Sequence, residues 1–142
     1  MLWVTRKNPH VDRCASAWLI KRFIDKDAEF GFISKEDTIP KDAIPFTLPK
    51  AQIKPVEGKM TTYDALLEKY KIGDPMAIKI GKYIHDFEID SGENPEKVKC
   101  PETLGLVYIL KGLEKDSKTD YEIIEKAFVV LDAFTATLSS VG

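Results

Sequence analysis

The 142-residue chain predicts an α+β domain: a small sheet of about three short strands packed by about five helices, with a mainly helical C-terminal half. Three observations predict it. Apolar, β-leaning runs at Leu2–Thr5 and Glu29–Ile33 flank a helical pattern, Pro40, Pro45, Pro49 and Pro55 interrupt the stretch that follows, and from Thr61 onward apolar residues recur at helical spacing.

Each element follows from local chemistry. Leu2 to Thr5 is a short strand closed by the turn Lys7-Asn8-Pro9-His10, after which Asp12 offers an N-cap to a helix. Over residues 13 to 25, Cys14, Ala15, Ala17, Trp18, Leu19, Ile20, Phe23 and Ile24 cover most of the helix circumference, so this helix is expected to be surrounded by protein. Glu29 to Ile33 is the second strand, and a strand, helix, strand unit in one sheet makes its two strands parallel. The proline-rich stretch from 38 to 59 suits edge strands and loops, with a third strand expected in the region 44 to 56. Thr61-Thr62-Tyr63-Asp64 opens a helix to about Lys71, Gly73 stops it, and Asp74 with Pro75 supplies an N-cap and first-position proline for a helix to about Ile89. A polar loop spans Asp90 to Lys99. Pro101 then opens a helix carrying Leu104, Val107, Tyr108, Leu110 and Leu113. The last helix begins at Thr119, forms a capping box with Glu122, and sets Ile124, Ala127, Phe128, Leu131 and Phe134 on one side. With no repeat or linker, residues 1–142 read as a single domain.

Composition narrows the function classes. Lysine plus arginine number 21 against 23 acidic residues, a net charge of −2 that argues against a nonspecific nucleic-acid surface on this chain and favours small ligands or proteins as partners. Cys14 and Cys100 are too far apart for a zinc knuckle or disulfide framework and fit a reducing cytoplasm. No apolar run reaches the roughly 18 residues of a membrane span, and no signal peptide is read, so the expectation is a soluble, unexported, cytoplasmic chain.

The run WVTRKNPHVDRCASAWLIKRFIDKDAEF, residues 3–30, resembles the opening of the ChrB-type chromate resistance domain. Tyr63-Asp64-Ala65-Leu66-Leu67, His85-Asp86-Phe87-Glu88, Pro101-Glu102-Thr103-Leu104-Gly105-Leu106 and Lys111-Gly112-Leu113 are similar to later segments of the family, so the resemblance covers nearly the whole chain and is weakest at residues 35 to 58. It implies a domain that binds an oxyanion or a divalent metal in a stress-resistance or sensing role. Longer members are chromate-responsive regulators with an added N-terminal region, and this chain resembles their C-terminal domain. Where the family pattern has Cys-Pro before the tryptophan, this chain has Ser16-Ala17; where it has an aspartate after a Pro-Phe pair, Thr47; where it has a histidine before the central helix, Val56-Glu57. Either Glu57 replaces a histidine ligand, since both bind divalent metals, or that site is lost.

Three constellations are candidates for chemistry. Thr5, Arg6, Asp12 and Arg13 bracket the turn between strand and helix, where backbone N–H groups and guanidinium suit a tetrahedral dianion such as chromate, sulfate or phosphate; the structural alternative is that Asp12 caps the helix and pairs with Arg6 or Arg13. Trp18, Arg22 and Asp25 share one stripe at i, i+4 and i+7, either presenting Arg22 to an anion or forming a structural ion pair. His85 and Glu88 lie three apart on one helix, with Gly81 one turn earlier leaving room for a partner or ligand, and Glu102 completes a histidine and two carboxylates suited to Mn, Fe or Zn; alternatively Glu102 answers its helix dipole and His85 is a hydrogen-bonded core residue. Asp86 and Asp90, alternating with Lys79 and Lys82, read as a solvated face. Two further function classes stay open: a metal-dependent enzyme acting on a small anionic substrate, and a protein-interaction module in which a second subunit of a homodimer covers the arginine stripe.

Overall fold

Strand β1 (Leu2–Arg6) is buried at Trp3, Val4 and Thr5, on both of its faces, which is the pattern of a central parallel strand. The computed structural model describes residues 1–141. β2 (Glu29–Ile33) pairs parallel with β1 from Leu2 opposite Glu29 to Arg6 opposite Ile33. β3 (Ile44–Pro45) pairs parallel on the other side, Trp3 opposite Ile44 and Val4 opposite Pro45, giving the order β2-β1-β3. The third strand is far shorter than the region 44 to 56 because Pro45, Pro49 and Pro55 cannot donate to a ladder; single bridges join Phe46 to Ile53 and Val56 to Met60 instead.

Helix α1 (Val11–Leu19) continues as a π turn over Ile20–Ile24 and packs against every other long helix: α2 (Thr62–Lys69), α3 (Pro75–His85, with a π turn over Asp86–Asp90), α4 (Pro101–Lys115) and α5 (Asp120–Val141). This central position is what its all-round apolar sequence demands. The fold is therefore α+β, a three-stranded parallel sheet with five helices and a short 3₁₀ turn at Pro95–Lys97. Trp3, Trp18, Tyr63, Phe46, Phe87, Leu106 and Leu131 are fully buried in one core. Among the described residues no helix is long and apolar enough to cross a membrane.

The caps correct several local expectations. His10, not Asp12, is the N-cap of α1, and it makes no side-chain cap bond. Thr61 and Asp64 form a reciprocal capping box for α2, and the Asp74 carboxylate accepts from the N–H groups of Met76 (3.0 Å) and Ala77 (3.1 Å) ahead of Pro75 in α3. At α5 the box is only half made: Thr119 Oγ1 accepts from Glu122 N–H at 3.1 Å, but the Glu122 carboxylate accepts from Lys118 N–H at 3.0 Å. Asp86 is no part of a solvated face; it is 2% exposed, and its carboxylate accepts from Lys99, Cys100 and Thr103 at the start of α4.

The room that Gly81 leaves is taken up by protein on one side. A Cβ there would lie 2.9 to 3.1 Å from the Tyr63 ring and Leu67. The ring is pinned, since Tyr63 is fully buried and its hydroxyl donates to Ala77 O at 2.6 Å. Alanine's helix preference is worth up to about 1 kcal/mol, whereas overpacking costs about 1–3 kcal/mol. Gly81→Ala is therefore expected to lose about 1 kcal/mol on balance, read as a lower melting temperature. A melting temperature at or above wild type would show that the Tyr63 ring yields.

Candidate functional site

β1 and β3 are parallel neighbours, so their carboxyl ends lie side by side, and the turn into α1 and the stretch leading to α2 leave from adjacent points. In open parallel sheets ligands bind in the crevice outside the carboxyl ends of the strands. A cleft of about 350 Å³ lies there, with Asp12 and Arg13 from the first turn of α1, Thr47 just after β3, Glu57 and Thr61 ahead of α2, and Glu88 from the π turn after α3.

Asp12 reaches across the cleft floor to cap a different helix. Its Oδ2 accepts from Thr62 N–H at 2.8 Å, and its Oδ1 from Tyr63 N–H at 3.1 Å and Ser16 Oγ at 3.2 Å. Burial still raises its pKa above the usual carboxylate value, against those hydrogen bonds. Arg13 beside it has one long contact, Nη2 to Thr47 O at 3.4 Å, while its buried Nε has no partner. Among the described residues it is in no salt bridge within 4.0 Å. Burial lowers its pKa, the signature of a cation held short of compensation. Glu88 is pushed up to about 7 by burial, with the Asp12 and Glu93 charges adding and those of Lys111 and Arg13 opposing. Near neutrality it can both give and take a proton. Glu57 and Glu93 are exposed at the rim.

Two of the four non-glycine residues with positive φ among the described residues line this cleft. Thr47 has φ +54° and Glu93 φ +65°, left-handed conformations that a β-branched threonine in particular adopts at a cost of about 1–3 kcal/mol. Such residues cluster at functional sites. Glu93 carried no spacing signal in the sequence, and Thr61 read only as a helix start. The three departures from the family pattern also meet here: Thr47 and Glu57 line the cleft, and Ser16 is hydrogen-bonded to Asp12.

The remaining candidates lie elsewhere. Trp18 Nε1 donates to Asp132 Oδ1 at 2.8 Å, and Arg22 grips the same carboxylate through Nε (3.0 Å) and Nη2 (2.8 Å), with its guanidinium 5.3 Å from the Phe128 ring centre. These two residues tie α1 to α5. Asp25, the partner expected for Arg22, instead accepts from Trp3 Nε1 at 2.9 Å. His85 is hydrogen-bonded through Nδ1 to Asp64 Oδ2 at 2.6 Å, its Nε2 is 3.5 Å from Asp90 Oδ1, and it lines a separate cavity with Gly81 and Cys100. Glu102 is exposed in the first turn of α4. His85, Glu88 and Glu102 therefore do not converge, and among the described residues no group of three or more His, Cys, Asp or Glu side chains is placed to hold a metal ion. The reason is the π turn that starts at Asp86: its wider i to i+5 bonding moves Glu88 off the stripe that an unbroken α-helix would share with His85. Arg6 lines neither cavity; it borders a third one at the ends of β1 and β2.

Comparison with known proteins agrees with the sequence resemblance. No solved structure matches this chain. Protein ChrB of Cupriavidus metallidurans is 30% identical over 139 residues, covering 97% of this chain and 41% of the relative, so the chain spans about two fifths of that protein's length. The family model described as ChrB, C-terminal domain, matches residues 3–138, and the chain accordingly belongs to the ChrB C-terminal-domain family, the chromate-resistance family that its opening segment resembles.

Proposed function

We propose that this chain is a cytoplasmic chromate-resistance domain that binds a tetrahedral oxyanion in the cleft between Asp12, Arg13 and Glu88, in a sensing or stress-resistance role. The observation that carries this reading is Arg13: a half-buried guanidinium at the carboxyl ends of β1 and β3, which among the described residues is in no ion pair and has a buried Nε–H lacking an acceptor. A guanidinium in that state gains a charge-assisted hydrogen bond from each anion oxygen that reaches it. The carboxylates nearby offset it only in part. Asp12 is committed to the N–H groups of α2, and Glu88, with a pKa of about 7, can carry a proton and donate it to an anion oxygen.

Titration calorimetry with sulfate, molybdate and chromate on wild type and Arg13→Gln tests the reading. Sulfate and molybdate separate binding from oxidation by chromate. Loss of charge-assisted bonds worth about 1.5–3 kcal/mol should weaken all three by roughly tenfold or more. Equal affinities in the two proteins would remove Arg13 as the anion's partner. Glu88 favours a second reading, an enzyme acting on a small anionic substrate with Glu88 moving a proton; turnover of a bound anion, lost in Glu88→Gln, would distinguish it from binding alone.

A further inference from the structure

Arg6 ends β1 in a state that the fold itself does not explain. Its Nε is buried without a partner, and among the described residues its guanidinium makes neither a hydrogen bond nor an ion pair. Unlike Arg13, it faces a separate crevice of about 420 Å³ at the carboxyl ends of β1 and β2, bordered by Ile33, Lys35, Ile39, Leu48 and Lys50. That volume is within the range of small-molecule sites. The charges around it are Arg6, Lys35 and Lys50 against Asp37 alone, and the Asp37 Oδ2 is already engaged, accepting from Ser34 N–H at 2.8 Å and Ser34 Oγ at 2.9 Å. The crevice therefore has an uncompensated positive end. Its walls are mostly apolar, through Ile33, Ile39 and the buried Leu48.

We propose that the Arg6 crevice is a second binding site, for a small amphipathic anion: an aromatic or aliphatic body carrying a phosphate, sulfonate or carboxylate. The anionic group pairs with the Arg6 guanidinium, whose planar fork matches two oxygens at once, and Lys35 and Lys50 add field from the rim. The body lies against Ile33, Ile39 and Leu48, which an inorganic oxyanion would leave unused. This separates the site's ligand class from that of the Arg13 cleft. An unfilled guanidinium with an orphaned buried N–H is the group whose desolvation cost an incoming anion offsets.

Phenyl phosphate is the probe, with inorganic phosphate and phenol as the two half-ligands. Amide chemical shifts of the full chain are expected to move saturably at Ser34 and Ile39 with phenyl phosphate, and the affinity read at these amides should exceed that of inorganic phosphate by roughly tenfold, since one ring's burial is worth at least that much. Arg6→Gln should weaken phenyl phosphate by a further factor of about ten. If Arg6→Gln does not fold by circular dichroism, Lys50→Ala is read in its place, with a smaller loss in the same direction. The proposal falls if phenyl phosphate gives no saturable shift at these amides at millimolar concentration, if it binds no better than inorganic phosphate, or if the folded variant binds it as wild type does. The first outcome leaves water as the only partner of Arg6. None of them bears on sulfate binding at Arg13, which is measured separately.

Discussion

Asp86→Ala is expected to destabilise the domain by about 3 kcal/mol, because it strips the start of the helix Pro101–Lys115 of the side chain that caps it. Cys100, the N-cap of α4, makes no cap bond of its own. Asp86 supplies it from the end of α3: Lys99 N–H donates to Oδ1 at 3.0 Å and Oδ2 at 3.2 Å, Cys100 N–H to Oδ2 at 2.8 Å, and Thr103 Oγ1 to Oδ2 at 2.8 Å. Thr103 is fully buried, so its hydroxyl would lose its acceptor with no water to replace it. Burial alone would raise the Asp86 pKa, but the amides of Cys100 and Lys99 and the Thr103 hydroxyl outweigh it and hold the carboxyl below its usual value. The linkage sign follows: the folded state prefers the ionised form, so the stabilisation is present above the unfolded pKa of 3.8 and is lost as pH falls through the depressed folded value. Urea unfolding at neutral pH measures the effect, and Asp86→Asn, which keeps one acceptor oxygen, should lose less. A loss under 0.5 kcal/mol in the alanine variant, the level of an ordinary surface change, would remove Asp86 from this role.

The contrast between Asp86 and the other acidic candidates shows where reading along the chain succeeds. β1, β2 and their parallel pairing were legible because an apolar run of strand length on each side of a helix admits few arrangements. The Asp74-Pro75 start and the Thr61 start of α2 were legible because caps are local. Asp12 and Asp86 were not, because each caps a helix that begins well beyond its own: Asp12 serves Thr62 and Tyr63, and Asp86 serves Lys99 and Cys100. Side-chain spacing held for Trp18 and Arg22, which meet on one Asp132 carboxylate, and failed beyond them for a specific reason. The stripes Trp18-Arg22-Asp25 and His85-Glu88 run into π turns at Ile20–Ile24 and Asp86–Asp90, where the period widens. Arg22 thereby finds Asp132 on α5, and Glu88 joins Arg13 while His85 stays with Asp64. The placement of Asp12 beside Arg13 at the turn after β1 was visible beforehand, since consecutive residues at a strand-to-helix junction need no period at all.

Glu88→Gln is expected to stabilise the domain at pH 8 by about 2 kcal/mol, and by progressively less as pH falls toward 5. Its carboxyl moves from an ordinary 4.5 to about 7 in the folded state, so between those values the folded chain holds a proton that the unfolded chain has released. Stability then falls as pH rises through this window and levels off above it. The full shift would correspond to about 3.4 kcal/mol; the side chain's partial exposure to water screens it, hence the smaller figure. Groups facing Glu88 set the shape of the curve. Asp12 and Glu93 repel its charge, and Lys111 from α4 and Arg13 from α1 attract it. Urea titrations of both proteins at pH 5, 6, 7 and 8 isolate this carboxyl, because every other titration is common to the pair. A difference that stays constant with pH would mean that Glu88 is ionised throughout. The same proton governs the cleft: an anion beside Arg13 favours neutral Glu88, so oxyanion affinity in the wild type should decline above pH 7 while Glu88→Gln holds its affinity. Stability and affinity therefore share one titrating group, and the cost that ionised Glu88 imposes on the folded chain at pH 8 is the cost that a bound anion increases.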